Sequence, residues 1–369
     1  MRFHVFSSPK DLYEVMLKDI ESAKKSIYLE TYIYGRDEIG RKFRRALEKK
    51  AAQGVKVQVL IDAFGSGSFK NGFLKNLIKN ATGTEKGLDK RYFYNLIKLG
   101  GEVRFFKEFR YVFRIFGQNH ERNHRKLLII DDNISYIGSA NITSACLNWR
   151  ELVLRLHGKI SEHLSKSFIN HWLIADNISV KKLKFIFHKS FEIIHDLPAD
   201  ARMLTASRYV KLINSAENEI LIETPYFVPP IRIRNALARA VKRGVKIILL
   251  LPFKSDVTFL DILKNRYLGS LYRKGVNIYY FNKGILHSKL LLVDNKFFLL
   301  GSSNLDYRSF VHQHEINLFG TNKEIISCLR SFYKEGISKS KPFNYQEWKS
   351  RSSFIKVLEI LSSLIDDYF

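Results

Sequence analysis

Two short strings carry residues that can do acid, base and nucleophilic work. His124-Arg125-Lys126 runs into Leu127-Leu128-Ile129-Ile130-Asp131, and His287-Ser288-Lys289 runs into Leu290-Leu291-Leu292-Val293-Asp294. Each reads H-x-K-x4-D, and after the same six-residue gap each is followed by Gly-Ser-x-Asn, at Gly138-Ser139-Ala140-Asn141 and Gly301-Ser302-Ser303-Asn304. One His-x-Lys alone is an ordinary strand edge with a solvated charge; two copies with two matched spacings are a duplication. The residue types suit attack on a phosphodiester. One histidine serves as nucleophile, forming a phosphohistidine, while the other protonates the leaving oxygen and later deprotonates the incoming one. Lys126, Lys289, Asn141 and Asn304 are placed to hold phosphoryl oxygens and neutralise their charge, work done elsewhere by magnesium. No cofactor is required by this scheme, and no His or Cys spacing indicates zinc or another metal.

The apolar run after each lysine reads as a buried strand, on which residues i and i+2 share a face. His124 and Lys126 therefore point one way, as do His287 and Lys289. Ser139 with Asn141, and Ser302 with Asn304, repeat that arrangement next door and are expected to bind substrate. Asp131 and Asp294 stand at odd offset beyond the run. They complete the catalytic set as supporting residues, expected to organise the strand end. Glu151 follows His124 by 27 positions and Glu315 follows His287 by 28, a near-match that suggests paired roles behind the imidazoles. Tyr32 and Tyr226, read as equivalent in the repeat, and Arg308 are expected to line the pocket. His120, His312 and His314 are expected in solvent-facing loops.

The repeat extends beyond the motifs. Ser26 to Thr31 aligns with Glu219 to Thr224 as a strand, each followed by a basic helix. Gln53-Gly54-Val55 and Arg243-Gly244-Val245 place glycine just past a helix end before another strand. The alternation predicts an α/β fold of two repeated α/β/α sandwich domains with pseudo-twofold symmetry and one shared active site. The domains are expected at 1–197 and 198–369, with a linker near Asp196-Leu197-Pro198-Ala199-Asp200. The first half carries two extra segments, around Ser66 to Lys90 and Lys107 to Glu121. The second, with Phe109, Arg110, Phe113, Arg114 and Phe116, interleaves aromatic rings with arginine and is expected at a lipid interface; stacking on bases is the nucleic-acid version of the same feature. Phe354, Val357, Leu358, Leu361, Leu364 and Ile365 recur at helical spacing and are expected to pack onto the body.

At 369 residues with 46% hydrophobic residues, the chain is long enough for two domains with real cores. Only Cys146 and Cys328 are present, which argues against a disulfide framework and for a reducing compartment. The net charge of +25 calls for an anionic partner, either membrane lipid or nucleic acid. The opening residues lack a secretory signal, and nothing approaches eighteen uninterrupted apolar residues, so any membrane contact is expected to be peripheral.

These motifs, with Ser26 to Asp37 (SIYLETYIYGRD), Trp149-Arg150-Glu151, Thr224 to Pro229 (TPYFVP) and Gly301 to Phe310 (GSSNLDYRSF), resemble the phospholipase D superfamily and, within it, bacterial cardiolipin synthases. The resemblance covers nearly the whole length. It implies transfer of a phosphatidyl group from one phosphatidylglycerol to another with release of glycerol, His124 as nucleophile, His287 as acid and base, and Glu151 and Glu315 orienting the imidazoles. It also implies an anionic phospholipid partner at the cytoplasmic face of a bacterial membrane. The alternatives are a phosphodiester hydrolase, either a phospholipase or a nuclease, and a non-catalytic anionic-membrane binding protein. Two departures stand out: Glu151 occupies the place where the synthases usually carry Asp, and their usual pair of N-terminal membrane helices is not in the sequence.

Overall fold

The computed structural model describes residues 2–67, 88–107, 121–178, 186–198 and 203–362. The chain divides into two compact units: Met1–Asn148 with Val153–Ile186, and Trp149–Leu152 with Phe187–Phe369.

The first unit is built on strands β1 (Phe3–Phe6), β2 (Ser26–Thr31), β3 (Lys56–Asp62), β4 (Glu102–Phe106), β5 (Arg122–Asn123), β6 (Leu127–Ile130), β7 (Ile134–Gly138) and β8 (Val153–His157). Its sheet has the order β1-β8-β7-β6-β2-β3-β4. β2, β3 and β4 run parallel, while β6, β7, β8 and β1 join antiparallel. β2 and β6 are buried along their whole length, and β6 accordingly reads as a continuous apolar run. Alternation along β2 sends Ile27 and Leu29 into a core with Leu12, Met16, Phe43 and Leu47 from the helices Pro9–Ser22 and Glu38–Ala52. Tyr28, on the other face, stacks on Phe168 of the helix Ile160–Ala175 at 5.1 Å. The unit is thus an α/β/α sandwich.

The second unit contains β9 (Ile186–His188), β10 (Phe191–Asp196), β11 (Glu219–Glu223), β12 (Phe227–Val228), β13 (Lys246–Pro252), β14 (Asn277–Phe281), β15 (Leu290–Val293), β16 (Phe297–Gly301), β17 (Leu305–Asp306), β18 (Gln313–Gly320) and β19 (Ser340–Pro342). The path β10-β18-β16-β15-β11-β13-β14 repeats the first unit's order strand for strand. Both repeats close their second helix in the same way. Gly54 and Gly244 sit at φ +80 and +85, and the following Val55 and Val245 donate back to Lys50 and Ala240 carbonyls at 3.1 Å, a left-handed cap that glycine adopts without a Cβ penalty.

Three features depart from expectation. The division falls between Ile186 and Phe187, not after 197, because Phe191–Asp196 pairs with β18 from Phe191↔Gly320 to Asp196↔Glu315. It is the first strand of the second repeat, the counterpart of β1. The tetrapeptide Trp149–Leu152, which the sequence places in the first half, groups with the second unit. Phe109 to Phe116 lie outside the described residues, as do Leu364 and Ile365. In the helix Ser353–Ser362, Phe354 and Val357 are 71% and 51% exposed instead of packed. No helix among the described residues is long and apolar enough to cross a membrane.

Candidate active site

Each H-x-K string lies in the approach to the strand next to its repeat's central strand, β6 beside β2 and β15 beside β11. His124, Lys126, His287 and Lys289 are all buried. The two lysines adopt the same posture: Lys126 Nζ donates to the His124 carbonyl at 2.5 Å, and Lys289 Nζ to the His287 carbonyl at 2.6 Å. Each imidazole also meets an aromatic ring edge-on at 5.1 Å, Tyr32 for His124 and Trp149 for His287.

The middle residue of each string points to the opposite face, as strand alternation requires. Arg125 Nε reaches Glu30 at 3.1 Å, and its Nη2 donates to Ser167 Oγ at 2.8 Å. Glu30 also accepts from Asn123 and pairs with His171 Nδ1 at 2.5 Å. Burial works to raise the Glu30 carboxyl, but Arg125 and His171 beside it hold it down at about 2. In the second unit Ser288 donates to Glu223, which also takes Arg150 Nε at 2.8 Å. Glu30 and Glu223 occupy matching places in β2 and β11. They fasten the backbone under each motif, and the sequence signal for them was a carboxylate inside an apolar strand.

His287 has a carboxylate behind it. Its Nδ1 lies 2.8 and 3.0 Å from the two oxygens of Glu151. The partner is delivered by the exchanged tetrapeptide: Arg150 N donates to Ile285 O, and His287 N and Ser288 N both donate to Arg150 O, so Trp149–Leu152 runs parallel to the segment entering the motif. Arg150 is locked further by Glu335 and by the Phe332 carbonyl at 2.6 Å. Burial lowers the His287 pKa; Glu151 opposes that and Lys289 reinforces it. With Nδ1 engaged by the carboxylate, the neutral ring presents Nε2 for chemistry. Burial also lowers Lys289, to about 8, against the raising influence of Glu151, Glu315, Asp256 and Asp306.

Several expected site residues do other work. Asp131 accepts the backbone N–H groups of Lys24, Lys25 and Ser26 at 2.7–2.9 Å, and Asp294 those of Glu217, Asn218 and Glu219 at 2.7–2.8 Å. Both lie at the far end of their strand from the histidine, so they organise the strand end, as their odd offset indicated, and do not stand beside the imidazoles. Ser302 donates its hydroxyl to Glu315 and accepts from Ile316 N at 2.9 Å, which fixes Glu315 and leaves Ser302 spent. Asn141 Oδ1 accepts from Ile33 N at 3.1 Å, whereas the buried Asn304 Oδ1 accepts no hydrogen bond within the described residues. Ser139 is fully buried. Thr31 and Thr224 hydroxyls donate to the Ile33 and Tyr226 carbonyls, each at 2.9 Å, so Tyr226 corresponds to Ile33 and Tyr32 to Pro225. The two tyrosines are not repeat equivalents. His314 is buried in β18, not in a solvent-facing loop; His120 lies outside the described residues.

Asp256 was not singled out in the sequence. It follows β13, accepts from Tyr226 Oη at 2.7 Å, and acts electrostatically on both His287 and Lys289. Its loop is held by Lys264, which donates to Pro252 O at 2.8 Å and Asp261 at 2.6 Å, and by Asp261 accepting from Ser255 N at 2.9 Å. Among the described residues no cluster of His, Cys, Asp and Glu is arranged to hold a metal ion.

The family model described as "Cardiolipin synthase, PLD-like domain" matches residues 16–172 and 209–335, both motifs included. The chain belongs to this family. Membership in the cardiolipin synthase family makes it a phosphatidyltransferase-class enzyme. Relatives include a cardiolipin synthase of Listeria welshimeri, 32% identical over 98% of this chain and 74% of the relative, and the major cardiolipin synthase ClsA of Bacillus subtilis, 31% identical over the same shares. The fold is that of a phosphatidylserine synthase crystal structure from Haemophilus influenzae, with a TM-score of 0.76 at 16% identity over 100% of this chain and 95% of that one.

Proposed function

We propose that this cardiolipin synthase family member transfers a phosphatidyl group from one phosphatidylglycerol to the headgroup hydroxyl of a second, releasing glycerol and yielding cardiolipin, with both motifs serving one reaction. The observation that carries the reading is the Glu151–His287–Lys289 arrangement: an imidazole held at Nδ1 by a buried carboxylate, beside a buried ammonium. His124 attacks phosphorus, forming a P–N bond as the P–O bond to glycerol breaks. His287, protonated, gives its proton to the departing oxygen. Neutral His287 then takes the proton of the acceptor hydroxyl, whose oxygen attacks phosphorus as the P–N bond breaks. Lys126, Lys289, Asn141 and Asn304 are proposed to hold the phosphoryl group, and Glu315 to orient the other imidazole as Glu151 does His287.

Peripheral attachment at the cytoplasmic face of the membrane belongs to the same proposal, supported by the attraction of a basic chain to anionic phospholipid. The test is to incubate purified protein with vesicles of headgroup-labelled phosphatidylglycerol in EDTA and separate the products. Cardiolipin plus free glycerol is expected. Phosphatidic acid plus glycerol would replace transfer by hydrolysis, and cleavage of single-stranded DNA in a parallel reaction would replace both by a nuclease.

A further inference from the structure

The second unit carries a row of aromatic rings that the reaction does not use. It begins at Phe253, 68% exposed, in the loop that presents Asp256 to His287 and Lys289. From there each ring touches the next: Tyr280 at 5.7 Å, Phe343 at 5.9 Å, Tyr272 at 5.4 Å, Tyr345 at 5.3 Å and Trp348 at 5.5 Å. The far end is rigid. Trp348 donates Nε1–H to Asn265 O at 2.9 Å and sits so closely on Gly269 that a Cβ there would lie 2.1 Å from the ring. Beyond it begins the helix Ser353–Ser362, with the exposed Phe354 and Val357.

Cations accompany the row throughout. Lys254 follows Phe253, Arg273 donates to Tyr345 Oη at 2.9 Å, and the Arg351 guanidinium, paired with both oxygens of Glu359, lies 3.9 Å over the Trp348 ring. Tyrosine and tryptophan, apolar in body and polar at one end, with basic residues among them, are the composition of a surface at lipid headgroup depth. Exposed phenylalanine and valine supply what would enter the acyl boundary.

We propose that the second unit docks on an anionic lipid surface through the exposed Phe253 and Tyr272 of this row, backed by the buried Phe343, and through the exposed face of the helix Ser353–Ser362, setting the Asp256 loop at the bilayer. The proposal rests on the lipid-transferase reading for its purpose and on the rings and their cations for its substance. The experiment uses the full chain and vesicles of phosphatidylglycerol mixed with phosphatidylcholine, sedimented at low salt. Phe253→Ser, and Phe354→Ser with Val357→Ser, are each expected to weaken vesicle binding roughly tenfold, with unchanged circular dichroism. Gly269→Ala, which dislodges Trp348, should weaken it in the same direction, and Lys254→Glu should add a loss that fades at high salt.

Turnover on vesicles should fall in step, while turnover of a short-chain phosphatidylglycerol below its micelle-forming concentration should stay within roughly twofold of the parent in the Phe354→Ser, Val357→Ser variant. Unchanged vesicle binding in both apolar variants overturns the proposal. So does an equal loss on the dispersed substrate, or a loss of single-stranded DNA binding with vesicle binding intact. Vesicle binding that depends on Phe253 and Phe354 but yields no cardiolipin in the parent supports the docking surface and refutes the transferase.

Discussion

At Lys289 an ammonium is carried into a buried site and its pKa falls to about 8, with burial as the largest cause. The charged form that neutralises a phosphoryl group is present below that value and is lost as pH rises through it. Turnover should therefore decline above pH about 8. In Lys289→Arg, where the cation does not titrate in this range, the alkaline limb should vanish even if the rate is lower; a limb that persists unchanged would assign it to another group. Glu151 works in the other direction on its neighbour, supporting the protonated form of His287 against burial and Lys289. Glu151→Gln should move the limb of the kcat/KM profile that reports His287 to lower pH and reduce kcat roughly 10- to 100-fold, with Glu151→Asp recovering part of the loss. His124→Ala and His287→Ala should each cost roughly a thousandfold or more, and the double variant should be no worse than the weaker single, because members of one catalytic unit do not add. Near-normal turnover in either single variant would remove the two-histidine scheme.

The hairpins β6–β7 and β15–β16 show where the last letter of each motif belongs. Asp131 and Asp132, and Asp294 and Asn295, all lie at φ between 52 and 54, and Asn133 N and Lys296 N close the turns onto Ile130 O and Val293 O at 3.0 and 2.9 Å. Aspartate and asparagine tolerate this left-handed pair better than most residues, and from there each aspartate gathers three backbone N–H groups. Asp294→Ala should cost about 1–3 kcal/mol of stability by denaturant titration while leaving kcat per folded molecule near the parent's. Burial raises the Asp294 pKa, but the hydrogen bonds from Glu217, Glu219 and Asn218 outweigh it and lower it. Its contribution is thus present above the unfolded carboxyl pKa and lost as pH falls through the folded one. A collapse of kcat with stability intact would return Asp294 to the chemistry. The strands bearing the motifs were legible in sequence because an apolar run beginning three residues after a histidine, in two copies, has few other readings, and the helix ends because glycine marks them. Phe191–Asp196 was obscured by Glu192, His195 and Asp196, which break the apolar signal of a strand that is nonetheless buried throughout. The partner of Trp149–Leu152 was not legible, since four residues carry no local preference for one unit over another and tertiary contacts made by Arg150 decide it. Pairing Tyr32 with Tyr226 was a one-residue slip, and in a strand-based repeat such a slip exchanges faces.

On the scale of the whole chain, the two units share one strand order but are not copies in charge or surface. The buried carboxylate of β2 takes an arginine and a histidine, and that of β11 an arginine and a serine. The aromatic row that surfaces at Phe253 and Tyr272 belongs to the second. Over the full sequence, 61 lysine and arginine residues face 36 aspartate and glutamate residues, and an excess of +25 creates an attraction to anionic surfaces that no single contact provides. That attraction acts across solvent, so it is screened over about 10 Å at 0.1 M salt and about 3 Å at 1 M, whereas chemistry at the buried lysines and histidines is shielded from it. Salt should therefore separate arrival from reaction. Between low and high salt, turnover on phosphatidylglycerol vesicles should fall steeply through a rise in the apparent KM for lipid, with kcat at saturating lipid little changed. Turnover of a dispersed short-chain substrate should respond far less over the same range. If kcat falls in parallel on both substrates, the charge excess acts on the catalytic site and not on approach to the surface, and the basic composition would have to be explained from within the site.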